Sequence, residues 1–272
     1  MSADLWAAGR DPGPQHADLI IPVFNQVEYT RDCLNSIVAH TTHPYHLIIV
    51  DNGSDDGTDA ALDEFSRDCP HLEVIRNPEN LGFTKAINQG MVASTGRYVV
   101  LLNNDTKVTP AWLTGLIVSA EMDDRIGIVG PRTLDPATGR VHNIGGLIFY
   151  QAHTSFPLGR GASRHDLQLR QVLDVQYAEG SCMLIKRSVI ESIGVLDEVF
   201  SPGYYEDSDY CFRAREAGFR IVYSPYSEIY HHATVTATAL EQSGKGISRV
   251  ALRNEMIFRS RWAHRFWSEA RG

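Results

Sequence analysis

An α/β domain on a mixed, mostly parallel sheet flanked by helices is the fold this sequence predicts, and two observations carry the prediction. Between Asp18 and Val129, strand-like and helix-like segments alternate four times, the pattern of parallel strands joined by right-handed crossovers. The strand segments are short runs of Val, Ile and Leu without in-out alternation, as in strands covered on both faces, and they end abruptly in Asn, Asp or Gly. Ligands of such sheets bind beyond the carboxyl ends of the strands, so those polar ends are the candidate site.

Residues 1–17, rich in Gly, Pro and Asp, read as a flexible N-terminal arm leading into a first strand at Asp18 to Val23. Thr30, Cys33, Leu34, Ile37 and Val38 recur at helical spacing, and that helix ends before His43-Pro44. A second strand, Leu47 to Val50, stops at Asp51-Asn52-Gly53-Ser54-Asp55-Asp56-Gly57, a polar turn, and a helix from about Asp59 to Ser66 follows. Then come a strand at Leu72 to Ile75, a turn through Asn80-Leu81-Gly82-Phe83, and a helix to about Ala93. The fourth strand lies in Tyr98 to Lys107, YVVLLNNDTK. A helix carrying Trp112, Leu113 and Leu116 separates it from a fifth strand at Ile126 to Val129.

Beyond residue 130 the alternation breaks. Ile144 to Tyr150 reads as hairpin, and the polar stretch from Gln151 to Gln171 as a mobile loop. Strands are expected at Val172 to Ala178, Cys182 to Ile185 and Arg220 to Tyr223. Helices are expected near Ser188 to Ile193, from the Glu206 region to Ala217 with Gly218 as C-cap, and from about Ser248 onward. The economical reading is a single domain, 18–240, with a C-terminal helical appendage at 241–272.

Composition narrows the function. The chain has 272 residues, 43% hydrophobic, enough for one large domain with a sizeable core. A formal charge of -8 argues against a nucleic-acid-wrapping surface while leaving room for a local phosphate pocket. No apolar run reaches the length of a membrane span, and the N-terminus lacks a signal pattern, so a cytoplasmic protein is expected. Cys33, Cys69, Cys182 and Cys211 form no CxxC pair and read as buried, reduced thiols.

Asn103-Asn104-Asp105, where the fourth strand surfaces, supports two readings: hard oxygen ligands for a divalent cation holding a diphosphate, or a cap for the helix starting near Pro110. The ordered set Ile21-Pro22-Val23-Phe24-Asn25, Val50-Asp51-Asn52-Gly53-Ser54, Asn80-Leu81-Gly82-Phe83, Leu102-Asn103-Asn104-Asp105, Glu206-Asp207-Ser208-Asp209 and His231 resembles family 2 inverting glycosyltransferases. Within them it is most similar to bacterial rhamnosyltransferase-like enzymes. The resemblance implies the GT-A fold, a Rossmann-like sheet with a nucleotide-binding half, 18–130, and an acceptor half, 131–240. It also implies sugar transfer from a nucleoside diphosphate donor, a UDP- or dTDP-sugar, to a hydroxyl of a glycan, lipid-linked or protein acceptor. That is work of polysaccharide and cell-envelope assembly, with peripheral association at the inner membrane face within its range and no nucleic-acid partner. Oligomeric state is not implied.

The resemblance also assigns roles. Asp51 contacts the base, which an imide N–H would suit, with Pro22, Phe24, Gly82 and Phe83 walling the nucleoside; an Asx-turn organised by Asp51 is the structural alternative. Asn103 and Asn104 line the donor site, and Gly180, in Glu179-Gly180-Ser181, lies near the donor sugar. Asp105 and His231, or His232 next to it, hold Mn²⁺ or Mg²⁺; with Asn103 where many relatives have Asp, one carboxylate replaces two. Asp207 is the general base and Glu206 orients it or the acceptor. As helix-start charges, Glu206, Asp207 and Asp209 would favour the macrodipole, and Asp209 is assigned to that role alone. Tyr204 and Tyr205 read as a sugar platform or core aromatics. Lys85 and Asn88 read as a solvated helix face, and no role rests on Arg259 and Trp262. Two rival classes are a non-catalytic sugar-nucleotide or glycan-binding module and a nucleotidyltransferase. The latter usually carries a Gly-rich basic loop after the first strand, where this chain has Phe24-Asn25-Gln26.

Overall fold

The computed structural model describes residues 16–69, 71–149, 154–233 and 247–269. The expected arm lies outside the described residues as far as 15, and its last residue, Ala17, already belongs to the first strand. The first half follows the sequence: β1 (Ala17–Val23), α1 (Val27–His40), β2 (Tyr45–Asp51), α2 (Thr58–Asp68), β3 (Leu72–Arg76), α3 (Phe83–Ala93) and β4 (Tyr98–Leu102). These strands pair in parallel in the order β3-β2-β1-β4.

The second half mixes directions. It comprises β5 (Thr106–Val108), α4 (Trp112–Ala120), β6 (Ile126–Leu134), β7 (Val141–Asn143), β8 (Gly146–Phe149), β9 (Thr154–Pro157), β10 (Leu173–Asp174), β11 (Cys182–Lys186), α5 (Arg187–Ile193), α6 (Glu206–Glu216), β12 (Arg220–His231) and α7 (Ile247–Glu269). β11 inserts antiparallel between β4 and β6, and β12 runs parallel to β6 at its far side. The strand expected at 172–178 is only the two-residue β10 plus an isolated bridge from Tyr177 to Gly146. The strand expected at 220–223 continues to His231, because the register shift between Tyr223 and Glu228 absorbs Pro225 without ending the pairing.

Alternate residues of each central strand face opposite sides, which explains why their sequences lack polar positions. Leu19, Ile21, Leu47, Ile49, Val100 and Leu102 pack with α1 and α4 through Leu34, Ile37, Trp112 and Leu116. Ile20, Ile48, Val99 and Leu101 pack with α3 and α6 through Ile87, Met91, Tyr210 and Cys211. Each such side chain contributes roughly 1.5–3 kcal/mol by leaving water. A third cluster, Phe200, Phe212, Phe258 and Trp262, joins α7 to α6. All four cysteines are buried and free, as the sequence suggests; burial pushes the Cys33 thiol up to about 12. Among the described residues no helix is long and apolar enough to cross a membrane.

Candidate functional site

A cavity of about 1080 Å³ opens over the carboxyl ends of β1 and β4 and brings together Pro22, Phe24, Gly82, Phe83, Asn103, Asn104, Gly180, Glu206, Asp207 and His231. Buried polar atoms without a hydrogen-bond partner among the described residues gather around it: Asn103 Oδ1, both Asp105 oxygens, Glu179 Oε2, Ser181 Oγ, Glu206 Oε2 and His231 Nδ1. Buried polar groups are normally paired, so this concentration marks a place built for a polar ligand.

One part of the site is set by strand pairing. After β4, Asn103 accepts hydrogen bonds at its carbonyl from Thr106 N at 3.2 Å and Thr106 Oγ1 at 2.7 Å, turning the chain into β5. β5 pairs antiparallel with the end of β12, Thr106 opposite His231. That register puts His231 Nε2 3.2 Å from Asp105 Oδ1, with both side chains almost fully buried. Burial lowers the His231 pKa, but the Asp105 carboxylate more than offsets it, so His231 titrates above its ordinary value. His232 also lines the cavity and sets its ring edge-on to Tyr29 at 4.9 Å. The capping reading of Asn103 to Thr106 is not realised: β5 intervenes, and the cap of α4 is Ala111, with no side-chain hydrogen bond. No trio of His, Cys, Asp or Glu with metal-binding geometry occurs among the described residues. The fit to a divalent cation rests on the buried Asp105 carboxylate, paired only with the His231 imidazole among the described residues, with ligand oxygens to complete the shell.

A second part is the start of α6. Asp207 Oδ2 accepts from Gly180 N at 3.0 Å, and Oδ1 from Ser208 N at 2.6 Å. Gly180 therefore serves Asp207 directly: a Cβ there would lie 3.4 Å from that of Asp207. Burial raises the Asp207 pKa against the lowering by the Gly180 and Ser208 hydrogen bonds. Glu206 is pushed well above the carboxylate range, by burial and then by the Asp207 charge, and its Oε2 has no partner. Both carboxyls are thus raised, Glu206 further than Asp207. Asp209 does more than its assignment. It stands in the first turn of α6 as expected, but it is fully buried and binds Arg213 at 3.1 Å, Arg261 at 3.0 Å and Trp262 Nε1 at 2.9 Å, so it also anchors α7. Trp262 thereby gains a structural role, while Arg259 pairs with Glu255.

The nucleoside side is a lattice of amides. Asp51 Oδ1 accepts from Ser54 N at 3.0 Å and Ser54 Oγ at 2.6 Å, so the Asx-turn is realised, and Asp51 is not among the cavity-lining residues. Its neighbour Asn52 lines the cavity instead and donates to the Gly82 carbonyl at 3.3 Å. Gly82 has φ 88 and ψ 166, a region open essentially to glycine alone, and a Cβ there would sit 2.7 Å from that of Pro202. Gly82→Ala is expected to destabilise the chain by about 1–3 kcal/mol and to weaken nucleotide binding, through overpacking and strain together. Denaturant unfolding and a nucleotide titration of the variant check both.

Asn88 is not on a solvated face. It is buried, donating to the Leu196 carbonyl at 2.9 Å and accepting from Leu196 N at 3.0 Å. Tyr204 and Tyr205 line the cavity, and Tyr205 also packs on Phe258, 5.4 Å between centroids. Residues that sequence reasoning passed over also line it: Asn52, Asn80, Asp135, His142, Arg160, Tyr177 and Glu179. Glu179 was within reach, standing beside Gly180 in a recognised segment. His142 and Arg160 carry no local signal, since folding alone brings their segment to the cavity.

A mixed sheet with its cavity at this switch of strand direction is the architecture of GT-A glycosyltransferases. The structure of GalNAc-T7 with UDP, GalNAc and Mn²⁺ superposes with a TM-score of 0.65 at 17% identity, covering 81% of this chain and 44% of that one. The chain belongs to glycosyl transferase family 2, whose family model matches residues 18–194. It is 28% identical over 222 residues to the pre-mycofactocin glycosyltransferase of Mycobacterium tuberculosis, covering 80% of this chain and 43% of that protein. It is also 28% identical over 228 residues to N-acetylglucosaminyl-diphospho-decaprenol L-rhamnosyltransferase of the same species, covering 73% and 70%. The chain thus spans less than half the length of several curated relatives.

Proposed function

We propose that this chain transfers a sugar, with inversion, from a UDP- or dTDP-sugar held mainly by residues 18–130 to an acceptor hydroxyl presented against residues 131–240. The observation that carries the reading is one cavity lined by Asp207, Glu206, His231 and the Gly82-Phe83 turn, with unpartnered buried polar atoms on the lining residues Asn103, Glu179, Ser181 and Glu206. The acceptor oxygen attacks the anomeric carbon, its proton passes to the Asp207 carboxylate, and the bond to the diphosphate breaks with its electron pair leaving on the nucleoside diphosphate. Protonated Glu206 keeps a second negative charge away from Asp207 and can donate to an acceptor oxygen. Asp105 and His231 would hold Mn²⁺ or Mg²⁺, which when bound supplies Lewis acidity toward the diphosphate. Pro22 and Phe24 offer an apolar wall to the nucleoside, with Asn103 and Asn104 beside the diphosphate, and the base contact is assigned to Asp51, at the end of β2 next to the cavity-lining Asn52. A lipid-linked acceptor agrees with the diphospho-decaprenol in the name of one relative. A glycan or protein hydroxyl presents the same nucleophile.

Calorimetry with UDP, dTDP, GDP and ADP, with and without Mn²⁺, tests the donor side. UDP or dTDP is expected to bind tightest, and Mn²⁺ to strengthen binding in the wild type but not in Asp105→Ala. Tightest binding of ADP would overturn the pyrimidine assignment, and full transfer activity in excess chelator would overturn the cation.

A further inference from the structure

The loop ahead of Asp207 is held by a residue far away in sequence. Asn254, on α7, is fully buried, and its Nδ2 donates to the carbonyls of Phe200 at 2.6 Å, Gly203 at 2.8 Å and Tyr204 at 3.0 Å. Its Oδ1 has no partner, so the amide is turned by what its NH₂ group gains from this loop. The loop needs holding. Tyr204 and Tyr205 follow one another at φ 74 and 71, a left-handed conformation that residues with a Cβ adopt only when their surroundings impose it. Two residues later stands Asp207. On its other side the loop meets the donor turn, where Thr84 N donates to the Pro202 carbonyl at 3.3 Å and Pro202 fills the space that a side chain at Gly82 would need.

A second tie reinforces the first. Trp262 Nε1 and Arg261 both bind Asp209 in the first turn of α6, and Arg261 also reaches Asp197 at 2.8 Å, just before the loop begins. Phe258 packs between Tyr205 and Phe212 at centroid distances of 5.4 and 5.1 Å. All of these partners lie beyond the 18–194 segment matched by the family model.

We propose that Asn254 is a positioning residue: from α7 it fixes the left-handed turn at Tyr204 and Tyr205, and so the placement of Tyr205 and Asp207 at the cavity. The catalytic consequence rests on the reading of Asp207 as general base; the latch itself does not.

Amide hydrogen exchange and turnover, measured on the full chain for the wild type, Asn254→Asp and Asn254→Gln, separate the two. Asn254→Asp keeps the shape but turns an acceptor toward three carbonyls. Amides at 203–209 are expected to exchange at least about tenfold faster in it, with those of β1 and β2 unchanged. Turnover should fall by at least about tenfold while nucleotide affinity stays within about twofold, and Asn254→Gln, which keeps the donor, should recover part of both. Unchanged exchange at 203–209 overturns the latch, and faster exchange with wild-type turnover overturns its catalytic consequence. A wild type that transfers no sugar would sink the functional reading alone, because exchange still decides the latch. Should Asn254→Asp not fold, Asn254→Ala, which removes the amide donor without adding a charge, is read in the same way, and unchanged exchange there overturns the proposal.

Discussion

Asp207→Asn is expected to lower turnover by about 10²- to 10⁴-fold, a barrier increase of roughly 3 to 5 kcal/mol, because the amide keeps the shape but cannot take the acceptor's proton. Nucleotide affinity should hardly change, since the Asp207 carboxylate is taken up by hydrogen bonds from Gly180 and Ser208. The wild-type rate should also fall on acidification, and the sign follows from the raised pKa. A base must be deprotonated to act, and burial makes Asp207 take up its proton at a higher pH than an exposed carboxyl does, so activity is lost above the ordinary Asp range. The residual rate of Asp207→Asn should lack that acid limb. Steady-state rates across pH, with nucleotide affinity by calorimetry, decide the matter. Near-normal turnover in the variant would remove Asp207 from the chemistry.

Asp209→Ala is expected to act on stability. Taking one partner from a buried ion pair leaves an uncompensated charge and costs roughly 3–5 kcal/mol where both groups are fully buried. Here Arg213 and Arg261 keep 23% and 33% exposure, which lowers the expected loss to about 2–4 kcal/mol through solvent screening. Denaturant unfolding should show a lower midpoint, with the loss of Trp262 as an indole donor partner adding to it. A midpoint equal to that of the wild type would mean that α7 docks without help from the Asp209 carboxylate.

The first four strands and their helices were readable to within a few residues because each central strand is covered on both faces, so burial writes itself as an unbroken apolar run. Beyond residue 130 the same rule fails for physical reasons. Val172 to Ala178 is apolar enough to read as a strand although only Leu173-Asp174 finds a pairing edge, and β12 crosses Pro225 on a bulge that sequence reads as a stop. The antiparallel insertion of β11 between β4 and β6 is a pairing choice that no local pattern encodes. The site divides in the same way. Asp105, Asp207 and Gly82 stand where strands or helices begin and end, and their motifs are contiguous. Asp209 and Asn88 were misread because a polar residue in a helix looks the same whether its partner is water or a chain segment far off in sequence. Asp209 meets Trp262, and Asn88 meets Leu196.

Residues 195–216 and α7 are stitched into one piece by Phe200, Phe212, Phe258 and Trp262, and this piece sets where relatives can be recombined. A chimaera joined near residue 194, where the family match ends, carries the piece across whole. The residues before the junction must then reproduce the seat of Pro202 on Gly82, the Gly180 amide that binds Asp207, the Asn88 bonds to Leu196 and the β5 and β6 edges that pair with β12. A junction placed between 216 and 247 cuts through it instead, setting Phe200 and Phe212 against a foreign helix and leaving the Asp209 carboxylate without its indole. Exchanging residues 195–216 between members of the family is thus tied to carrying a helix none of whose residues lines the cavity.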